Sequence, residues 1–157
     1  MIRAPWLGIA GIVLACSVSA AESRRAPLPP AYVDECGSCH VAYPGRMLDA
    51  ASWQAVLAGL DRHFGVDATV DAATLAPLRV HLEQTARTKP TTAADATPLL
   101  RITETRWFRG EHDEVPRRLR EGPAAVKPAD CGACHRHAAT GSYAERDIRL
   151  PKKETTR

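Results

Sequence analysis

Cys36-Gly37-Ser38-Cys39-His40 and Cys131-Gly132-Ala133-Cys134-His135 are the two stretches that decide how this 157-residue chain is read. Each has the C-x-x-C-H spacing of covalent c-type haem attachment. Two thiols three positions apart lie on one helical turn, where they add to the two vinyl groups of one haem, and the next residue aims its imidazole at the iron. Cys36, Cys39, Cys131 and Cys134 are therefore the candidate attachment points, and His40 and His135 the candidate proximal ligands. A disulfide within each pair would close only a tiny loop and leave both histidines without a role. A four-cysteine zinc site does not need them either. A thioredoxin-like pair calls for one motif in a βαβ setting, and strand signals are absent. Two c-type haems are the expected cofactors.

Each iron needs a sixth ligand if it is to pass electrons without binding small molecules. Four further histidines exist, His63, His81, His112 and His137, and apart from Met1 the one methionine is Met47. At most one haem can then be His/Met, so bis-histidine ligation at both is the simpler reading, with a lower reduction potential as its consequence. His63 follows His40 by 23 residues and His112 precedes His135 by 23, far enough to reach the opposite face of a ring. These two are the expected distal ligands, although spacing does not decide which iron each serves. His81, His137 and Met47 stand as alternatives. His81 lies among Leu75, Leu78 and Leu82, where a histidine is more often a boundary residue of a helix. His137 is on the proximal side of its own haem but within reach of the other, and Met47 reads as a gap-filling core residue.

Met1-Ile2-Arg3, the apolar run from Trp6 to Ala15 and the small residues around Ala20 and Ala21 form an export signal, giving a cleaved segment 1–21 and a periplasmic location. A lipidated Cys16 is the alternative. No other stretch is long and apolar enough to span a bilayer, so no integral membrane segment is expected after cleavage. Removing that segment takes away Arg3 alone among the charges and leaves 20 basic against 18 acidic residues, +2, which predicts no nucleic-acid partner. Aromatic residues make up 5% of the chain, too few to fill an ordinary core, and two rigid apolar porphyrins would substitute for them.

The remainder reads as mainly α, with helices and loops wrapped around the two haems. Ser52 is a candidate N-cap for a helix with Trp53, Val56, Leu57 and Leu60 on one face, ending near Gly65 and delivering His63 from its last turn. A second helix runs from Asp71 or Thr74 to Ala86, and Pro77 favours the later start. Residues 87–98 lack an apolar period and hold two prolines, which marks a linker between an N-terminal half, 22–86, and a C-terminal half, 99–157. Arg101, Arg106, Arg109, Arg117, Arg118 and Arg120 crowd the second half. Most form a solvated face, and one or two are candidates to pair with haem propionates.

With both motifs placed, the sequence resembles the small exported dihaem cytochrome c family of proteobacteria. The matching blocks are Glu35 to Pro44, Ser52 to Ala68, Arg101 to Val115 and Asp130 to Pro151, while Gly45 and the Pro- and Thr-rich 87–98 segment look like departures. The resemblance implies a mostly helical fold and bis-histidine haems, with His63 in His-Phe-Gly and His112 in Glu-His as distal ligands. It also implies redox partner proteins, either an oxygen-binding haem protein or a membrane b-type cytochrome. The expected function is thus a periplasmic electron carrier and not an enzyme. The alternative is a dihaem enzyme of the peroxidase or nitrogen-oxide reductase type, which would need one open iron and acid-base groups beside it.

Overall fold

The computed structural model describes residues 27–123 and 125–152, so the expected export signal with Cys16 lies outside the described residues. Among them the fold is helical, with isolated β-bridges and no strand. Helix α1 (Pro30–Cys36) starts on a proline, whose missing N–H is one the first turn could not have used. It carries the first motif cysteine at its last position.

Helix α2 (Ala50–Ala58) is capped by Asp49 and not by Ser52. The Asp49 carboxylate accepts the Ser52 N–H at 2.7 Å, a cap worth about 1 kcal/mol. Ser52 is instead fully buried, with its hydroxyl donating to the Thr91 carbonyl at 3.2 Å. The helix ends at Ala58 with Gly59 as its C-cap, earlier than its apolar pattern suggests, and the Leu60 carbonyl beyond it accepts the Ala68 N–H at 2.8 Å. A 3₁₀ turn, Leu60–Arg62, then delivers His63.

Helix α3 (Ala72–Thr85) takes the earlier of the two expected starts, with Asp71 accepting the N–H groups of Ala73 and Thr74. Pro77 therefore sits inside the helix. Pro77 and Ala73 are both exposed, so the carbonyl that loses its partner can turn to water.

The core is built between these helices: Tyr32, Leu48, Trp53, Leu57, Leu78 and Leu82 form one buried cluster, with Ala42 and Ala86 beside them. Each large member contributes roughly 1.5–3 kcal/mol. Gly45 is what lets the chain close on α3, since a Cβ there would collide with Thr85 Oγ1 and press on the Leu82 carbonyl. The Trp53 indole N–H donates to the Gly45 carbonyl at 2.6 Å and seals this contact.

Residues 87–98 hold no helix, yet they are tied to the first half. The Arg87 N–H donates to the Leu48 carbonyl at 2.8 Å, and buried Thr91 bonds both Asp49 and Ser52. Beyond them lie two short helices, α4 (Arg106–Glu111) and α5 (Arg117–Arg120), then 3₁₀ turns at Cys131–Ala133, Ala138–Thr140 and Glu145–Asp147. Among the described residues after 98, the buried apolar side chains are Leu119 and Ala138. Among the described residues the second half thus buries little apolar side chain of its own, which fits a segment organised around a prosthetic group.

Candidate functional site

The structure brings the six histidines into two facing pairs and two bystanders. His40 and His63 have ring centroids 6.2 Å apart with planes inclined 33°, and His112 and His135 lie 6.1 Å apart, inclined 64°. Two imidazoles that bind one metal ion from opposite sides at about 2 Å each hold their ring centres roughly 6 Å apart. Each pair combines the histidine of one C-x-x-C-H motif with the one 23 residues away. The donor set therefore fits one haem iron at each pair.

Local structure fixes how the rings are presented. The His40 Nδ1 is 2.8 Å from the Val41 carbonyl, and the His112 Nδ1 is 2.8 Å from the Phe108 carbonyl one helical turn earlier. A carbonyl can only accept, so both Nδ1 atoms carry a proton, which leaves Nε2 as the ring nitrogen that could ligate a metal. Phe108 also stacks on His112 at 3.9 Å. Burial, reinforced by His40 and Arg101, lowers the pKa of His63, and burial with His112 lowers that of His135. Both effects favour neutral, ligating rings. The His135 Nδ1 is buried without a hydrogen-bond partner.

His63 is placed by a strained turn. Phe64 adopts φ of 49° and Gly65 φ of 100°, closing the bridge between His63 and Val66. A left-handed phenylalanine costs about 1–2 kcal/mol. Its ring is held against His63 at 4.7 Å and under the Arg101 guanidinium at 4.1 Å.

Of the four motif cysteines, Cys36, Cys131 and Cys134 are half-buried and Cys39 is exposed. In the second motif the His135 N–H closes a helical turn on the Cys131 carbonyl at 2.8 Å, setting both cysteines and the histidine along one turn. Burial, with Glu35 adding to it, pushes the Cys36 thiol up to about 11. Burial and Asp130 raise Cys131 and Cys134.

The remaining candidates lie elsewhere. His81 is on α3 against the Tyr32 ring, at 5.5 Å, with its Nε2 buried and without a hydrogen-bond partner. His137 is exposed, and its carbonyl accepts three bonds from Thr140 and Ser142. Met47 is buried, its carbonyl accepting the Trp107 indole N–H at 3.3 Å. Of the arginine cluster, Arg117 is paired with Glu121 at 2.7 Å and Arg101 with Glu104 at 3.7 Å.

Residues that the sequence did not single out complete the site. A cavity of about 410 Å³ is lined by Arg46, Met47, Arg87, Thr88, Lys89, Trp107 and Tyr143, and Tyr143 lies 5.1 Å from the His135 ring. Arg46 and Arg87 come from the first half and the 87–98 segment, outside the stretch where arginines crowd. Tyr43 stacks on His40 at 4.7 Å. Its adjacency to the first motif, in a chain with only three tyrosines, was the signal available.

The chain matches the dihaem cytochrome c family over residues 32–143. It is similar to the solved diheme cytochrome type c of Shewanella baltica OS155, at 36% identity and a TM-score of 0.64, covering 79% of this chain and 95% of that one. It is also similar to the diheme cytochrome c purified from Rhodobacter sphaeroides, at 38% identity and a TM-score of 0.60, covering 73% of this chain and 96% of that one. No curated protein sequence matches it. Among the described residues no helix is long and apolar enough to cross a membrane.

Proposed function

This chain belongs to the dihaem cytochrome c family and takes two haems, and on that premise we propose that it is a periplasmic electron carrier whose irons are both bis-histidine and low-spin. In this reading Cys36 and Cys39 hold the first haem between His40 and His63, and Cys131 and Cys134 hold the second between His112 and His135. The observation that carries it is the pair of facing imidazoles at 6.2 and 6.1 Å, each joining a motif histidine to a distant one.

The haem supplies one-electron redox chemistry, and the protein's task is to keep its coordination closed. His63 and His112 do so by filling the sites a small ligand would take. The carbonyls of Val41 and Phe108 hold the Nδ1–H edges of their partner imidazoles, which would leave Nε2 for the metal. Arg46 and Arg87, beside the cavity next to Tyr143, are the cations placed to meet haem carboxylates of the second site. Counting four propionates and two ferric centres brings the +2 chain near zero, so docking to an acceptor depends only modestly on salt. The partner proposed is another haem protein, either an oxygen-binding one or a membrane b-type cytochrome.

The test is ligand binding after reduction. Wild-type protein is expected to bind no carbon monoxide, and His63→Ala and His112→Ala each to bind one equivalent. Ready binding by wild type, or peroxide turnover, would mark an open iron and an enzyme.

A further inference from the structure

We propose that Tyr43 is a positioning residue through which the segment leading into the second C-x-x-C-H motif sets the orientation of the His40 ring. The inference deepens the ligand reading above and rests on it. An axial imidazole is free to turn about its metal–nitrogen bond unless its edge or its face is held. At His40 both are held: the Nδ1 edge by the Val41 carbonyl at 2.8 Å, and one face by the Tyr43 ring, stacked at 4.7 Å and 19°.

Tyr43 is itself fixed from the other half of the molecule. Its hydroxyl donates to the Ala129 carbonyl at 2.9 Å, across 86 residues of sequence. Its own carbonyl accepts the Tyr32 hydroxyl at 2.6 Å. The ring thus touches the proximal ligand candidate of one site while its far end is moored at Ala129, two residues before the attachment residue Cys131 of the other.

A tyrosine that only fills space would be replaced without consequence by phenylalanine, which keeps the ring and its stacking area. A tyrosine that transmits position would not, because the mooring is the hydroxyl. The experiment compares the electron paramagnetic resonance of oxidised dihaem protein as wild type, Tyr43→Phe and Tyr43→Leu, with redox titration of each. The signal of the His40–His63 site is identified by its loss in His63→Ala. The expected result is a shift of that signal in Tyr43→Phe, a larger one in Tyr43→Leu, and a matching shift in that haem's midpoint potential. Should Tyr43→Leu not accumulate with two haems, the phenylalanine variant decides alone. A His40–His63 signal superimposable on wild type in the variants overturns the proposal, whatever the second haem does. Wild-type protein lacking two low-spin signals overturns the ligand reading first, and the role of Tyr43 with it.

Discussion

Phe108 holds His112 in two ways at once: its carbonyl takes the Nδ1 proton at 2.8 Å, and its ring stacks on the imidazole at 3.9 Å. The i, i+4 spacing at the end of α4 makes both contacts possible, because residues four apart share a helix face. Phe108→Ala keeps the backbone bond and removes the stack. It should lower stability by about 1–2 kcal/mol. A fraction of the second haem should also become open to carbon monoxide, visible as a new reduced-state absorbance band.

The first half should be intolerant of a single methyl group at one place. Gly45→Ala drives a Cβ into Thr85 Oγ1 and toward the Leu82 carbonyl, with α3 unable to move without opening the Leu78 and Leu82 packing. The expected loss is about 1–3 kcal/mol in thermal unfolding. Thr85→Ala in the same chain should recover part of it, since the hydroxyl is the closer obstacle.

The two C-x-x-C-H motifs made the cofactor legible in sequence, because thioether chemistry dictates a spacing that little else requires. His63 and His112, the two histidines at matching distance from the motifs, lie beside His40 and His135 in the structure. What stayed hidden depends on approach through space. Asp49 displaced Ser52 as the cap because its carboxylate also binds Thr91, a residue from a stretch that reads as linker. Pro77 lies inside α3 because an exposed Ala73 carbonyl tolerates the loss of its bond, which no local pattern reveals. Gly45, which looks like a departure from the family's pattern, is a closure point between the chain and α3. Arg46, Arg87 and Tyr43 gain meaning only once the two halves touch.

Asp49 should give the protein an acid-labile limb. Burial alone would raise its pKa, but the hydrogen bonds from Thr91 and Ser52 outweigh that and bring the carboxyl below its ordinary range. With the folded value depressed below the unfolded value of about 3.9, the stabilisation is full above that pH and is lost as pH falls through the folded pKa. Asp49→Asn should flatten this part of a denaturation series run from neutral pH to pH values below about 3.9, and should cost about 2 kcal/mol at neutral pH.

The second half should depend on its haem far more than the first. Leu119 and Ala138 are the buried apolar side chains there among the described residues, against the α1–α3 cluster in the first half. Cys131→Ala with Cys134→Ala removes the second attachment. Hydrogen exchange should then show amides of 99–152 losing protection while those of α2 and α3 keep theirs. Equal loss in both halves would mean that the first core is not self-supporting.

The most direct test of the account is electron paramagnetic resonance of the mature oxidised protein, integrated against its iron content. Two imidazole pairs inclined at 33° and 64° predict two distinct low-spin ferric signals that together account for both irons, with no high-spin component. A high-spin signal from either iron, or a sulfur-ligated low-spin species at one of them, would contradict it.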